Sequence, residues 1–158
     1  MEKQVIPFST RREFVQHLAG CLTRAEHTLQ LFDPDFAIWE LGSSVSDAML
    51  RRFLKGGGRL QLAGHDGRHL EREAPRFLRL TQDYSHVVEL RRTGTPLRQL
   101  TDSFCIADGR DIVRRFHSDH LRGEAIFNGA AEISGPLERF LTIWDESLPV
   151  LYANSPGL

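Results

Sequence analysis

Apolar and polar positions along the chain follow two periods, the three-to-four-residue period of helices and the two-residue period of strands. Thr10 and Glu13 form a capping-box pattern, and the apolar positions after them predict a helix of about fifteen residues. Its apolar face consists of Phe14, Leu18, Cys21, Leu22 and Ala25. Residues 28–32 then alternate weakly and end at Asp33-Pro34, which predicts a strand followed by a loop.

The loop over residues 33–42 is unusually apolar for a connection, and we expect Phe36 and Trp39 to anchor it against the body of the protein. Ser44 begins a predicted second helix. A run of three glycines, 56–58, ends this helix because glycine tolerates the left-handed conformation that a helix C-terminus needs. The apolar side of the second helix is expected to consist of Val45, Met49, Phe53 and Leu54.

Shorter elements fill the middle of the chain. Residues 59–63 predict a strand, and strands are also predicted over residues 84–90 and 124–127. A helical stretch runs from about residue 68 to residue 82 and contains Pro75. Because proline interrupts a helix, this stretch forms either one kinked helix or two short helices.

The last third of the chain predicts a hairpin and a closing helix. Residues 102–107 and 112–116 are rich in strand-forming residues, and a connection of hairpin length, residues 108–111, joins them. The closing helix is predicted with Ser134 as its cap and Pro136 in its first turn. Its apolar face consists of Ile133, Leu137, Phe140, Leu141 and Trp144.

These elements together predict an α/β fold with a mixed β-sheet flanked by helices. Helices that alternate with strands in the first half indicate crossovers onto a largely parallel sheet, and the hairpin adds an antiparallel pair. We expect one domain over residues 1–148, which is long enough to bury a real core, and a loose C-terminal tail over residues 149–158.

Composition narrows the class of protein. Of 158 residues, 41% are hydrophobic and 26% are charged, which is typical of a globular chain. The formal net charge of -1 provides no general attraction to nucleic acid or anionic membranes. The N-terminus lacks the apolar stretch of a signal peptide, and no run is long enough to span a membrane, so we expect a cytoplasmic protein without a membrane partner. Cys21 and Cys105 lie in apolar runs and are expected to be buried free thiols.

Residues 101–108 resemble the HxKxxxxD strand of the phospholipase D superfamily in spacing, in the apolar run before Asp108 and in the Asp-Gly turn that follows. Thr101 stands where that motif has its nucleophilic His, and Ser103 where it has its phosphate-binding Lys. Residues 128–132 and 140–144 resemble the ending of the same superfamily. The resemblance implies a phospholipase D-like fold and is strongest to a family of uncharacterised bacterial domains.

Because Thr101 and Ser103 stand at the His and Lys positions of the motif, the resemblance does not imply the activity of the superfamily. In active members one His attacks phosphorus, a second His protonates the leaving group, and two Lys hold the phosphate oxygens. Thr101 has no basic nitrogen and Ser103 has no charge, so the resemblance implies a catalytically inactive domain. Each lost role is worth about 10² or more in rate. Asp108 also has a purely structural interpretation, because Asp before Gly is common at turns, and Thr101 and Ser103 are equally consistent with ordinary strand residues.

The leading hypothesis is therefore a binding or protein-interaction module that forms a homodimer, the dimer being implied by the resemblance. A phosphate-bearing molecule and a protein partner are the two ligand classes that stay open. The arginines of the second half form either a phosphodiester-binding face or a solvated strand face; they are Arg91, Arg92, Arg98, Arg110, Arg114, Arg115 and Arg122. The candidate ligand-binding residues are Thr101, Ser103, Asp108, Arg115 and His117.

Two other hypotheses belong to different functional classes. The first is a phosphodiesterase or other hydrolase with a site rebuilt around His117 or His120, which requires two histidines to converge with an acid. The second is an accessory domain that docks to an acyltransferase, because domains of the family it resembles are found appended to acetyltransferase domains. Docking of this kind predicts an exposed apolar patch around Trp39 and Phe36.

Two pairs of closely spaced histidines have the side chains of metal ligands, namely His117 with His120 and His65 with His69. Neither spacing forms a zinc signature, and the chain has no nucleotide-binding fingerprint. We therefore expect no metal and no cofactor.

Overall fold

A computed structural model describes residues 2–150 and contains an eight-stranded mixed β-sheet with helices on both faces. The strands are β1 (Gln4–Phe8), β2 (Thr28–Phe32), β3 (Arg59–Gly64), β4 (Val88–Thr93), β5 (Ser103–Ala107), β6 (Asp111–Arg115), β7 (Gly123–Phe127) and β8 (Ser147–Pro149). The α-helices are α1 (Arg11–Arg24), α2 (Ser44–Lys55), α3 (Arg68–Glu73), α4 (Pro75–Asp83) and α5 (Ala130–Asp145). A short 3-10 helix spans Thr95–Leu97.

The strand order across the sheet is β1-β7-β6-β5-β2-β3-β4-β8. Strands β2, β3 and β4 are parallel, because α2 and the α3–α4 pair connect them as crossovers. Every other pair of neighbouring strands is antiparallel. The predicted mixed sheet flanked by helices is confirmed, but the sheet is less parallel than expected because β5 returns antiparallel to β2.

Each face of the sheet covers its own core. Cys105 and Ala107 of β5 belong to the larger core beneath α1–α4, whereas Phe104 and Ile106 belong to the core beneath α5. Strand side chains alternate between the two faces, so Ser103 lies on the same face as Cys105 and packs toward α1. The predicted hairpin of β5 and β6 is confirmed, with Ser103 paired with Arg115 at its open end.

Helix α1 has the predicted capping box. The Thr10 hydroxyl accepts a hydrogen bond from the backbone N–H of Glu13, and the Glu13 carboxylate accepts one from the backbone N–H of Thr10. The loop after β2 folds back as expected, since Phe36 and Trp39 are 2% and 0% exposed. The two rings contact each other edge to face with centroids 4.8 Å apart.

Helix α2 differs from the prediction at its start and on its buried side. Ser43, one residue before the expected start, is the N-cap and accepts a hydrogen bond from the backbone N–H of Ser46. Val45 is 63% exposed, and Leu50 takes its expected place in the core. Leu50 lies three and four residues before Phe53 and Leu54, so the three side chains share the helix face that packs inward.

Helix α5 begins earlier than predicted, at Ala130. The expected cap, Ser134, therefore lies within the helix, and its hydroxyl donates to the carbonyl of Ala131. Pro136 lies inside the helix and not in its first turn. Because proline lacks an N–H group, the carbonyl of Glu132 loses the bond that it would otherwise accept in a regular helix.

The remaining differences concern short or interrupted elements. Pro75 divides the third helical stretch into α3 and α4, which is one of the two predicted alternatives. Strand β4 begins four residues later than predicted, after a turn over residues 84–87. Strands β1 and β8, at the two edges of the sheet, were not predicted.

The C-terminal segment was expected to be loose from residue 149. Pro149 belongs to β8 and pairs with Arg91, and the backbone N–H of Val150 donates to the carbonyl of Leu90. The rest of the expected tail, 151–158, lies outside the described residues. Within residues 2–150 there is no helix with the length and apolar character needed to cross a membrane.

The two cysteines are free and buried, as predicted. Cys21 of α1 and Cys105 of β5 are both 0% exposed, and their sulfur atoms lie 3.8 Å apart. They fill the contact between α1 and the sheet as small apolar side chains.

Candidate ligand surface at one end of the sheet

The antiparallel order of β2, β5 and β6 brings three distant segments together. Phe32, at the end of β2, pairs with Phe104, and Ser103 pairs with Arg115 at the end of β6. The start of β5 therefore meets the ends of both neighbouring strands. Asp33, the first residue after β2, lies at this meeting point and was not among the residues that the sequence singled out.

Arg115 occupies the centre of the meeting point. Its Nη2 donates to Asp33 Oδ1 at 2.7 Å, and its Nε donates to Ser103 Oγ at 3.1 Å. The Arg115 and Asp33 side chains are only 4% and 1% exposed. The guanidinium carbon also lies 5.5 Å from the centre of the Phe14 ring, within the range of a cation–π contact. Ser103 and Arg115 are thus brought together, but they bond to each other and to Asp33 beneath the surface.

Arg115 also holds the β6–β7 loop, residues 116–122. Its Nη1 donates to the carbonyl oxygens of Ser118 at 2.6 Å and His120 at 3.4 Å. The backbone N–H of Ser118 in turn donates to the carbonyl of Thr101 at 2.9 Å. The loop is therefore fixed against the segment that precedes β5, and Thr101 lies beside it, partly exposed.

His117 and His120 converge in this loop, with ring centroids 5.3 Å apart. The Nδ1 atom of His117 accepts a hydrogen bond from the backbone N–H of Asp119 at 3.0 Å, so in the neutral ring Nε2 carries the proton. The Asp119 carboxylate lies 3.9 Å from the same Nδ1 atom, although its side chain is 82% exposed. Two histidines and an acid therefore meet at the surface, which is the geometry that the hydrolase hypothesis requires.

Asp108 lies at the opposite end of β5 from Thr101 and Ser103, a strand length of roughly 16 Å. Its carboxylate accepts hydrogen bonds from the backbone N–H groups of Glu26, His27 and Thr28 at 2.8–2.9 Å. Burial raises the pKa of Asp108, but these three hydrogen bonds and Arg110 outweigh burial and hold the pKa below its ordinary value. Asp108 thus fixes the start of β2, and the structure does not bring it to the other four candidate residues.

A second buried carboxylate near Asp108 was not anticipated from the sequence. Asp111 is 0% exposed and accepts hydrogen bonds from Arg24 Nε at 2.9 Å, Arg110 Nη2 at 3.1 Å and the backbone N–H of Asn128 at 3.0 Å. Burial raises the pKa of Asp111, and the two arginines and Asn128 together lower it further than burial raises it. These contacts join α1, β6 and the segment before α5.

The seven arginines of the second half do not act as one free basic face. Four of them form ion pairs with carboxylates, namely Arg91, Arg110, Arg114 and Arg115. In the part of the chain that the structure describes, the other three form no ion pair within 4.0 Å: Arg92, Arg98 and Arg122. Most of this positive charge is therefore balanced within the fold.

His65 is a structural residue that links two loops. Its Nε2 lies 2.9 Å from the carbonyl oxygen of Leu100, and its Nδ1 lies 2.6 Å from Thr93 Oγ1. A carbonyl only accepts, so Nε2 carries the proton and Nδ1 accepts from the Thr93 hydroxyl. Both ring nitrogens are thereby occupied. Among residues 2–150 no group of three His, Cys, Asp or Glu side chains is arranged to hold a metal ion.

The apolar patch that the acyltransferase-docking hypothesis predicts is not formed by the expected residues. Trp39 and Phe36 are core residues, packed against α1 through Phe14. The apolar character of their loop serves internal anchoring. The large apolar side chains exposed near the candidate surface are Phe116 and Leu121, at 55% and 38%.

The chain matches known proteins in two ways, through a family model in sequence and through solved structures in fold. A family model described as a domain of unknown function, DUF7931, matches residues 10–153. No curated protein matches the chain in sequence. Nuc from Salmonella typhimurium, a phospholipase D family member, has a TM-score of 0.66 at 14% identity, covering 94% of this chain and 97% of Nuc. NucT from Helicobacter pylori has a TM-score of 0.66 at 10% identity, covering 94% of this chain and 100% of NucT.

A third similar structure belongs to a longer protein. TrmBL2, an archaeal chromatin protein whose structure is described as showing a novel mode of DNA binding, has a TM-score of 0.71 at 11% identity. The match covers 93% of this chain and 54% of TrmBL2, so this chain spans about half of that protein. At such identities the likeness concerns the fold alone, and the predicted phospholipase D-like fold is confirmed.

Proposed function

This chain belongs to the DUF7931 family, and we propose that it is a catalytically inactive phospholipase D-like domain that binds a phosphate-bearing ligand. The observation that carries the proposal is the buried contact of Arg115 with Asp33 and Ser103. In this contact the Arg115 guanidinium, which lies beside Ser103 of the motif-like strand, is paired with a carboxylate of the protein itself. Thr101, His117 and His120 lie above this contact at the surface and form the proposed binding residues.

Inactivity is supported by the chemistry of the residues at the motif-like positions. Phosphoryl transfer needs an activated nucleophile and a cation that stabilises the charge developing on the phosphate oxygens. Thr101 contributes only a hydroxyl, and the Ser103 hydroxyl already accepts a hydrogen bond from Arg115. The charge of Arg115 is balanced by Asp33, and three of its nitrogen atoms donate within the protein. The guanidinium of Arg115 is therefore not available to stabilise the charge of a transition state.

Binding is supported by the donors that the fixed loop presents. In neutral His117 the Nε2–H group is free of the local hydrogen bond at Nδ1, and His120 lies beside it. Imidazole N–H groups and the Thr101 hydroxyl are suitable donors to phosphate oxygens. Because Arg115 holds the carbonyl groups of the loop, these donors are ordered before a ligand arrives, which lowers the entropic cost of binding.

The test combines turnover and binding on the full chain. We expect no turnover of a chromogenic phosphodiester above that of the His117→Ala variant, with or without divalent metal ions. We also expect a fluorescent, abasic oligonucleotide backbone to bind the wild type and to bind His117→Ala severalfold more weakly. His86→Ala is the matched control, because His86 is exposed in the turn before β4, away from the β6–β7 loop. Wild-type protein that fails to bind the backbone contradicts the proposal.

A hydrolase with a rebuilt site is the second candidate, and the convergence of His117, His120 and Asp119 is the observation that favours it. One histidine would act as general base while the other donates a proton. Turnover that is lost in both His117→Ala and His120→Ala, but kept in the His86→Ala control, would replace the binding proposal with this one.

A homodimer is part of the proposal on the strength of the family resemblance. One domain supplies only half of the two-histidine site in the active enzymes that it resembles, and a dimer would place two candidate surfaces near a twofold axis. Multi-angle light scattering tests this directly: a dimer has twice the mass of the 18.0 kDa chain. A mass of 18.0 kDa at micromolar concentration contradicts it.

A further inference from the structure

We propose that the groove between the sheet and α5 is a base-binding subsite, which holds the planar base of a single-stranded nucleic acid. The inference rests on the proposed function, because the phosphates of the same strand would bind at the surface beside Thr101 and His117. The groove has an apolar floor of Phe104 and Ile112, and Phe116 and Pro136 line its sides. These four side chains take no part in the contacts that hold the β6–β7 loop.

The size and shape of the groove suit a base with its sugar. It encloses about 490 Å³, within the range of roughly 300–1,000 Å³ that is usual for small-molecule sites. Gly135 forms part of the wall, and a Cβ atom added there would meet nothing within 4 Å. The space beside Gly135 is therefore open, and a side chain introduced there would not meet the protein at its Cβ atom.

Phe116 supplies the stacking surface. It is 55% exposed, an unusual state for a large aromatic residue that follows directly on a buried strand. The guanidinium carbon of Arg122 lies 5.9 Å from the centre of its ring. An aromatic face beside an arginine is the arrangement that binds bases of single strands, because stacking accepts any base and the cation attracts the adjoining phosphate.

The charges on the rim favour an anion over an uncharged ligand. Arg139 pairs with Asp102, with contacts of 2.6 and 2.9 Å, and Arg114 pairs with Glu124. Arg122, beside the ring of Phe116, forms no ion pair with any residue between 2 and 150, so its positive charge stays available next to the groove. Each nucleotide step of a single strand carries one negative charge, so a nucleotide complements this rim.

The groove is continuous with the proposed phosphate surface. Phe116 directly precedes His117, and Arg115, which lines the groove, also donates to the carbonyl groups of Ser118 and His120 in the loop that carries both histidines. A strand whose phosphate contacts His117 can therefore place its next base on Phe116 without any change in the fold. This arrangement assigns recognition of the base to the groove and recognition of the backbone to the loop.

Fluorescence anisotropy with two labelled oligonucleotides tests the subsite on the full chain. One is oligothymidylate of about twelve nucleotides, a length within the site sizes of single-strand binders. The other is an abasic backbone of equal length. We expect the wild type to bind oligothymidylate about tenfold more tightly than the abasic strand, a difference that one stacked base supplies. Phe116→Ala should remove this difference, and Phe116→Trp should keep it.

A second pair of variants fills the groove without touching Phe116. Gly135→Ala and Gly135→Phe both place a Cβ atom before Pro136, but only the phenylalanine side chain is large enough to occupy the groove. We expect Gly135→Phe alone to lose the preference for oligothymidylate, with both variants keeping the thermal stability of a folded domain.

The outcomes separate this subsite from the proposed function. Equal affinity of the wild type for the two strands, or an unchanged preference in Phe116→Ala, overturns the subsite. Binding of the abasic backbone would still support the proposed function in either case. The groove would then belong to a ligand that is not a nucleotide. Failure to bind either strand overturns both.

Discussion

Arg115 and Asp33 lie 82 residues apart in sequence and form an ion pair inside the protein, with Nη2 and Oδ1 2.7 Å apart. A buried pair offsets the cost of desolvation only when further hydrogen bonds satisfy both partners. Arg115 also donates to Ser103, and Asp33 Oδ2 accepts from the backbone N–H groups of Asp35 and Phe36. The pair therefore joins β2, β5 and β6 beneath the surface.

Removing one partner of this pair should destabilise the protein strongly. Arg115→Met leaves the Asp33 carboxylate buried without its cation, and we expect the free energy of unfolding to fall by about 3–5 kcal/mol. Urea unfolding followed by circular dichroism measures the loss. Arg68→Met is the matched control: Arg68 forms an exposed ion pair with Asp66, for which a loss below about 1 kcal/mol is expected. Equal losses in the two variants would contradict a structural role for the buried pair.

Asp108 should make stability depend on acid pH. The folded state holds the pKa of Asp108 below its ordinary value of 3.8, so its contribution is complete above that value and is lost as the pH falls through the lower, folded-state pKa. Asp108→Ala removes the acceptor of three backbone N–H groups and should cost about 2–4 kcal/mol near pH 7. Urea midpoints measured from neutral pH into the acid range check both effects.

The pH dependence of Asp108→Ala should also be shallower than that of the wild type in the acid range. Asp108→Asn is the control that separates charge from shape, since it keeps one acceptor oxygen but cannot ionise. Asp108→Asn should lose as much of the acid pH dependence as Asp108→Ala does, but its free energy of unfolding at neutral pH should fall by less. A wild-type profile that Asp108→Asn leaves unchanged would show that the ionisation of Asp108 is not coupled to folding.

Two glycines should respond in opposite directions to alanine. A Cβ atom at Gly123 would overlap the carbonyl oxygen of Arg114 and lie 2.7 Å from Phe8 Cζ, so Gly123→Ala should cost about 1–3 kcal/mol or more. At Gly20, inside α1, the nearest atom to a Cβ is Phe127 Cζ at an ordinary 3.6 Å. Gly20→Ala should stabilise the protein by about 0.5–1 kcal/mol through helix propensity. Thermal unfolding of the two variants beside the wild type measures both changes, and destabilisation by Gly20→Ala would contradict the packing described.

The cysteines should be inert in the folded protein. The side-chain hydrogen bond with Cys105 and burial both raise the pKa of Cys21, and neither thiol is exposed. The reactive form of a cysteine is its thiolate, so an aromatic disulfide reagent at about pH 8 should label neither residue in the native state. In denaturant the same reagent should count two thiols. Labelling of the native protein at the denatured rate would show that the contact between α1 and β5 opens readily.

Local signals explain which elements the sequence predicted. The capping box at Thr10 involves residues three positions apart, and the helical period of α1 repeats within a few turns, so both are visible without a fold. The edge strand β1 was missed because its stability comes from pairing with β7, with Gln4 opposite Phe127. Of its five residues only Phe8 is buried, and Pro7 lies within the strand, so β1 lacks the apolar pattern by which strands are recognised. The start of α5 is not visible in the sequence because its N-cap, Gly129, forms no side-chain hydrogen bond, whereas Ser134 and Pro136 resemble the usual signals of a helix start.

The candidate surface shows the same division. The pattern over residues 101–108, the resemblance of residues 128–132 and 140–144 and the order of elements together predicted a phospholipase D-like fold, because each of these signals is local in the sequence. That Thr101 and Asp108 lie at opposite ends of β5 also follows from strand geometry once the strand is known.

The sequence by itself determined most of the helices and inner strands and the class of the fold, and it placed Thr101 and Ser103 at the positions that resemble the motif. Only the tertiary structure decided that Arg115 points inward to Asp33 and that His117 and His120 converge above it. The physical reason is that these contacts depend on the antiparallel placement of β5 between β2 and β6. Hydrogen bonds between residues 82 positions apart leave no periodic trace in a single chain.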